Sequence, residues 1–198
     1  IKKAGGNIAQ IFISNPQGRG TKTRTKEEIE NIKKFQKDND MKLVIHSPYV
    51  LNFAKPFATT NWWIKQMINE LKIGASMNSI GCVVHFGKHL KLTRKEGLIN
   101  MKKSFEYIID NTPDNSFIIL ETAAGQGTEL GYDLVEFAAL YNAFSKKYQN
   151  RIKICIDTCH VFVAGYDLTS QKMVKAFFTK FNKLIGIKHV VLLHLNDS

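Results

Sequence analysis

Six short apolar runs alternate with longer helical patterns along this chain, and five of the six end in a side chain able to bind a metal. The runs fall at residues 9–14, 43–46, 81–85, 116–121, 152–157 and 190–194. Helical periodicity predicts one segment starting near Thr25, one over residues 61–77, and one starting at Thr93. Two more are predicted over residues 134–147 and 170–184. Thr25 and Thr93 each precede an acidic residue by three, Glu28 and Glu96, the pattern of a capping box. The run cores (CVV, FIIL, VVLL) are continuously apolar rather than alternating, which suits parallel strands buried on both faces. Repeated β-α units predict an α/β protein, either a doubly wound sheet or a (β/α)8 barrel. No glycine-rich phosphate loop follows the first strand, and GQG at 125–127 lacks the dinucleotide-binding spacing. With four prolines and no low-complexity linker, residues 1–198 read as one domain.

The strand ends carry the chemistry. The second run ends in His46, the third in His85 and the fourth in Glu121. The fifth ends in Asp157, with His160 just beyond, and the sixth in His194. In an α/β barrel the carboxyl ends of the strands converge on one mouth, so these six residues can meet although they are far apart in sequence. Imidazoles with carboxylates suit zinc or a similar divalent ion. A glutamate can bridge two such ions, and a bridged water becomes a nucleophile near neutral pH. Any one histidine at a strand end is more commonly a hydrogen-bonded core or loop residue. A carboxylate beside a buried strand is costly when unpaired, and five strand ends of this kind at one edge point to a site. His189 precedes its strand and receives no chemistry, and His89, four after His85, is assigned a structural role.

Composition bounds the rest. At 44% hydrophobic and 23% charged residues, the 198-residue chain is globular rather than disordered. No apolar run is long enough to cross a bilayer, and IKKAGGNIAQ shows no signal-peptide pattern. Cys82, Cys155 and Cys159 have neither disulfide nor zinc-finger spacing, which predicts an intracellular, reducing compartment. The net charge of +11 fits a polyanionic partner, nucleic acid first. It fits solvated helix faces equally well, because 24 of the 28 basic residues are lysines.

Three segments resemble the endonuclease IV family of apurinic/apyrimidinic (AP) endonucleases: HSPYVLNFA at 46–54, CIDTCHVFVAGYDL at 155–168 and HLNDS at 194–198. HFGKHL at 85–90 and ETAAGQGTELG at 121–131 are similar to family segments in the same order. The resemblance covers nearly the whole chain. It implies a TIM (β/α)8 barrel of the xylose-isomerase-like kind with a trinuclear zinc cluster at its mouth. The implied activity is hydrolysis of the phosphodiester 5′ to an abasic site in double-stranded DNA by a metal-activated hydroxide, leaving a 3′-hydroxyl. By motif position it implies zinc ligation by His46, His85, Glu121, Asp157, His160 and His194, with Glu121 bridging two ions and so serving catalysis. His46 and His85 would complete one ion, Asp157 and His194 the second, and His160 would serve the third. Tyr49 matches a family loop that enters DNA at the abasic site, and Arg19, in NPQGRG, matches a DNA-contacting loop more loosely. The expected state is a monomer.

The family pattern extends beyond this sequence at both ends. It has a strand upstream, and downstream an Asp-x-His pair and a glutamate that complete the ligand set. A (β/α)8 barrel takes about 250 residues. The expectation is therefore about six of eight units, an open barrel with exposed strand edges, and part of the metal site. Two other readings stay open. One is a metal-dependent sugar isomerase or epimerase on the same barrel. The other is a catalytically incomplete DNA-binding relative.

Overall fold

The computed structural model of the protein describes residues 1–20 and 22–197, the side chain of Lys2 excepted. Ser198, the last residue of the HLNDS segment, lies outside the described residues. Six strands form one sheet in chain order: β1 (Ile8–Ile11), β2 (Lys42–His46), β3 (Cys82–Val84), β4 (Ile118–Glu121), β5 (Ile152–Asp157) and β6 (Val190–His194). Every neighbouring pair is parallel. Chain-order parallel pairing excludes the doubly wound alternative, in which the strand order reverses at a switch point. Among the described residues, β1 and β6 each pair on one side only. The array is thus an open, partial (β/α)8 barrel of the expected six units.

The helices are α1 (Lys26–Asn39), α2 (Trp62–Ser76), α3 (Arg94–Asp110), α4 (Leu134–Asn142), α5 (Lys146–Gln149), α6 (Thr158–Val163) and α7 (Gln171–Leu184). Both predicted capping boxes form: Thr25 and Thr93 each accept from the backbone N–H of the glutamate three residues on, and that glutamate accepts from the cap N–H. The segment predicted as one helix over 134–147 is two. Ser145 takes an extended backbone (φ −66°, ψ 163°), which ends one helix and starts the next. The break lets Phe144 turn inward and stack on Phe105 with ring centroids 6.4 Å apart. β1 stops at Ile11, short of the predicted end at residue 14. Beyond it, Ile13 is buried in the core and Ser14 donates its hydroxyl to Glu70 of α2.

Strand alternation sends side chains to two cores. Leu43, Ile45, Val84, Leu120, Ile154 and Ile156 face outward and pack beneath the helices. Val44, Val83, Ile119 and Cys155 face the lumen as one apolar layer, with Leu192 packed against it. Two residues further along their strands, and so on the same face, stand His46, Glu121, Asp157 and His194. The lumen is therefore filled from below by aliphatic side chains and topped by polar ones. Between β5 and β6 the pairing slips by one residue: Ile154 faces Val190, whereas Cys155 faces Leu192 and Asp157 faces His194.

Candidate metal centre

Glu121 organises the mouth. It ends β4 and is 2% exposed. His194 Nδ1 lies 2.8 Å from its Oε1 and His160 Nδ1 3.5 Å away. His85 Nε2 is 2.9 Å from Oε2, and His46 Nε2 is 3.6 Å from the same atom. All six residues expected from the sequence converge here. Four are the terminal residues of β2, β4, β5 and β6, and His85 follows β3 by one residue. His160 arrives on α6, a helix the periodicity did not reveal. Asp157 is its N-cap, accepting from the His160 N–H at 2.9 Å, so the DTCH segment builds strand end, cap and candidate ligand in four residues.

Second partners fix the imidazoles. His46 Nδ1 meets the Ser47 carbonyl at 2.8 Å, and His160 Nδ1 meets the Thr122 carbonyl at 2.8 Å. A carbonyl only accepts, so both rings carry a proton on Nδ1, and Nε2 is the atom that holds the lone pair when the ring is neutral. The Thr122 hydroxyl also accepts the Asp157 backbone N–H at 2.9 Å. Asn196 Nδ2 donates to Asp157 Oδ2 at 2.5 Å, and Thr158 Oγ1 donates to the Asn196 carbonyl at 2.7 Å. The DTCH and HLND segments thus tie β5 to β6. Thr122, Asn196 and Gln10, whose Oε1 lies 2.9 Å from His194 Nε2, were not singled out in the sequence. Asn196 lies inside a recognised segment; Gln10 carries no local signal.

The donor set fits metal ions. Three groups, His46–His85–Glu121, Glu121–Cys155–His194 and Glu121–Asp157–His160, each bring candidate ligand atoms within 4.8 Å of one another, and Glu121 belongs to all three. Oε2 of Glu121 is buried and makes no well-formed hydrogen bond. Facing it are the Nε2 atoms of His46 and His85, themselves 3.2 Å apart. Donors at zinc distances around a tetrahedron stand about 3.3–3.5 Å apart, close to the spacing found. Lone pairs gathered on one point repel unless a cation lies among them.

Without a cation the charges rearrange. Burial raises the Glu121 carboxyl, but its contacts with His194, His46 and His85 outweigh that and hold it well below the usual carboxylate range. Burial likewise raises Asp157, and His194 with the His160 N–H brings it below its ordinary value. Asp157, Cys155 and Glu121 together push His194 up to about 12 from its ordinary 6.5. A raised base stabilises the fold below its unfolded pKa and loses that contribution as pH climbs toward its folded one; a depressed acid does so above its unfolded pKa and loses it on acidification. Metal-free protein is therefore expected to lose stability below about pH 4.5 through Glu121 and Asp157, and steadily above about pH 6.5 through His194. Urea unfolding in chelator from about pH 3.5 to about pH 9 enters both ranges and measures the onset of each loss. His194→Gln should flatten the alkaline decline; an unchanged decline in that variant refutes the assignment.

Tyr49 is 56% exposed on the rim, its ring 5.3 Å from that of His46 and 5.6 Å from that of His85. Arg19 lies over the Trp62 ring at 4.5 Å, in a segment whose Gly20 N–H donates to Gln66 of α2. It is not among the residues gathered around Glu121. His89 is held by the Leu92 carbonyl at 2.5 Å, and His189 stands against the Tyr141 ring at 5.2 Å, so neither joins the centre. The three cysteines are free. Among the described residues, no helix is long and apolar enough to cross a membrane.

A parallel array in chain order with imidazoles and carboxylates gathered at its carboxyl rim defines an α/β barrel with a candidate metal site at its mouth. The family model described as xylose isomerase-like TIM barrel matches residues 1–198. A protein of Acanthamoeba polyphaga mimivirus named as an endonuclease 4 is 33% identical over 207 residues, covering 100% of this chain and 65% of its own length. An endonuclease 4 of Nitrosopumilus maritimus is 33% identical over 196 residues, covering 96% of this chain and 68% of its own. The crystal structure of endonuclease IV from Thermus thermophilus superposes with a TM-score of 0.81 at 22% identity, covering 100% of this chain and 69% of that one. The chain belongs to the endonuclease IV family of xylose isomerase-like TIM barrels, and it spans about two thirds of the length of the relatives it matches.

Proposed function

We propose that the protein is a metal-dependent DNA repair nuclease that hydrolyses the phosphodiester 5′ to abasic sites in double-stranded DNA, leaving a 3′-hydroxyl. The observation that carries this reading is the convergence of His46, His85, Asp157, His160 and His194 on the buried carboxylate of Glu121, at the positions where the endonuclease IV segments fall. His46 and His85 would hold one zinc ion with Glu121, Asp157 and His194 a second, and His160 a third. Ions held there would supply Lewis acidity toward a phosphate oxygen and toward the attacking water. Glu121, shared by all three groups, keeps the sites adjacent. The Ser47 and Thr122 carbonyls keep His46 and His160 in the tautomer that presents Nε2. The aliphatic layer beneath excludes water from the lumen side.

Tyr49 offers an exposed aromatic face beside the donors, suited to the space left when an abasic nucleotide is drawn out of the stack. Arg19 and the net charge of +11 would serve phosphate contacts. Full-length protein loaded with zinc is expected to nick a duplex carrying one abasic site, and to lose that activity with a chelator. Turnover of a ketose without DNA cleavage would replace this reading with a sugar epimerase, and DNA binding without cleavage would replace it with a non-catalytic relative. Tyr49→Ala should lower cleavage efficiency by about 10-fold or more, as for loss of one base-stacking aromatic, while leaving zinc content unchanged. Equal efficiency in a steady-state nicking assay would remove Tyr49 from DNA recognition.

A further inference from the structure

We infer that Gln10 is the positioning residue that sets the tautomer of His194 and so readies it as a ligand. The inference rests on the metal-site reading above, but not on the nuclease activity. His194 is the last residue of β6 and Gln10 the third of β1, the two edge strands of the open array. They meet across the mouth, with His194 Nε2 2.9 Å from Gln10 Oε1. The other ring nitrogen, Nδ1, lies 2.8 Å from Glu121 Oε1 and 3.6 Å from Asp157 Oδ2. The atom among the carboxylates is therefore Nδ1, opposite to His46 and His160, whose Nδ1 atoms are taken by backbone carbonyls. To bind a cation, Nδ1 must present a lone pair, so the ring proton must sit on Nε2. The Gln10 amide oxygen accepts a hydrogen bond from that N–H.

The arrangement is specific in chemistry. His46 and His160 are fixed by main-chain carbonyls that no substitution removes. His194 depends on a side chain 184 positions away in sequence. Outer partners of ligating histidines fix ring orientation and typically carry about 10–100-fold in metal affinity. Register supports the placement: Gln10 pairs with Val44, two residues before His46 on the same face. The Gln10 side chain therefore lies on the lumen side of β1.

The test compares wild type with Gln10→Leu and Gln10→Glu. Zinc affinity is read by competition with a chromophoric chelator, and the His194 ring by long-range ¹H–¹⁵N correlation of the zinc-loaded protein. Wild type should show the Nε2–H tautomer at His194. Gln10→Leu should bind the zinc that uses His194 about 10–100-fold more weakly, and its Nε2–H, deprived of its acceptor, should exchange faster with solvent. Gln10→Glu, which restores an acceptor, should recover both. Because the Gln10–His194 bond is exposed, a urea midpoint for Gln10→Leu near wild type separates positioning from a folding defect. Wild-type zinc affinity in Gln10→Leu, or an Nδ1–H tautomer at His194 in loaded wild type, overturns the inference. Failure of the protein to cleave abasic DNA leaves both readouts intact and bears on the nuclease reading alone.

Discussion

Glu121→Gln is expected to abolish tight zinc retention and to slow cleavage of abasic DNA by about 10³-fold or more, equivalent to several kcal/mol of barrier. Glutamine keeps the shape and removes the charge. The three candidate groups share this one carboxylate, so a neutral amide weakens all of them together. The amide also places an NH2 donor near His194, His85 and His46, where an acceptor stood. Atomic emission on dialysed protein gives the zinc per chain, and single-turnover nicking gives the rate. Full zinc and a wild-type rate in the Glu121→Gln variant would refute the shared-ligand role.

Phe105→Ala should cost about 3–5 kcal/mol, the range for truncating a buried phenylalanine, against a total stability of about 5–15 kcal/mol for a domain. Phe105 is fully buried on α3, its ring 5.3 Å from that of Phe53 and 6.4 Å from that of Phe144. Phe53 belongs to the segment between β2 and α2 that carries Tyr49. Helix α3 also ties that segment by hydrogen bonds from Ser104 Oγ to the Phe53 carbonyl (3.4 Å) and from Asn100 Nδ2 to the Ala54 carbonyl (3.2 Å). A cavity here therefore loosens the segment that carries Tyr49 to the rim as well as the core. The urea midpoint should fall with an unchanged slope. Ile99→Ala, on the exposed side of the same helix, should stay within about 0.5 kcal/mol. A loss below about 1 kcal/mol for Phe105→Ala would contradict the packing described.

The strand ends were legible in the sequence because a strand buried on both faces writes an unbroken apolar run, and a polar residue closing it stands out. That is why His46, Glu121, Asp157 and His194 could be placed at one edge from the residues alone. The limits have physical reasons. Helix α6 spans six residues, too few for a helical period to show, although Asp157 supplied a cap signal. The break before α5 depends on the backbone at Ser145 and on the pocket that receives Phe144, which periodicity does not encode. Ile13 and Ser14 continue the run beyond the last residue of β1, where the core takes Ile13 and Glu70 of α2 takes the Ser14 hydroxyl. Gln10 and Thr122 act through contacts to residues far along the chain, and a single sequence shows no sign of such pairs.

The slip between β5 and β6 bears on who enters the donor ring. Had the strands continued in step from Ile154 and Val190, Asp157 would stand beside Leu193, and a leucine would occupy the place now held by His194. A shift of one residue exchanges the two faces of a strand. The irregularity at Ile154/Cys155 thus acts as a frame correction that delivers an imidazole where an aliphatic would otherwise arrive. The identity of this candidate ligand is written in backbone pairing as much as in the histidine codon. A change that straightened the ladder would empty one corner of the centre while every donor remained in the chain.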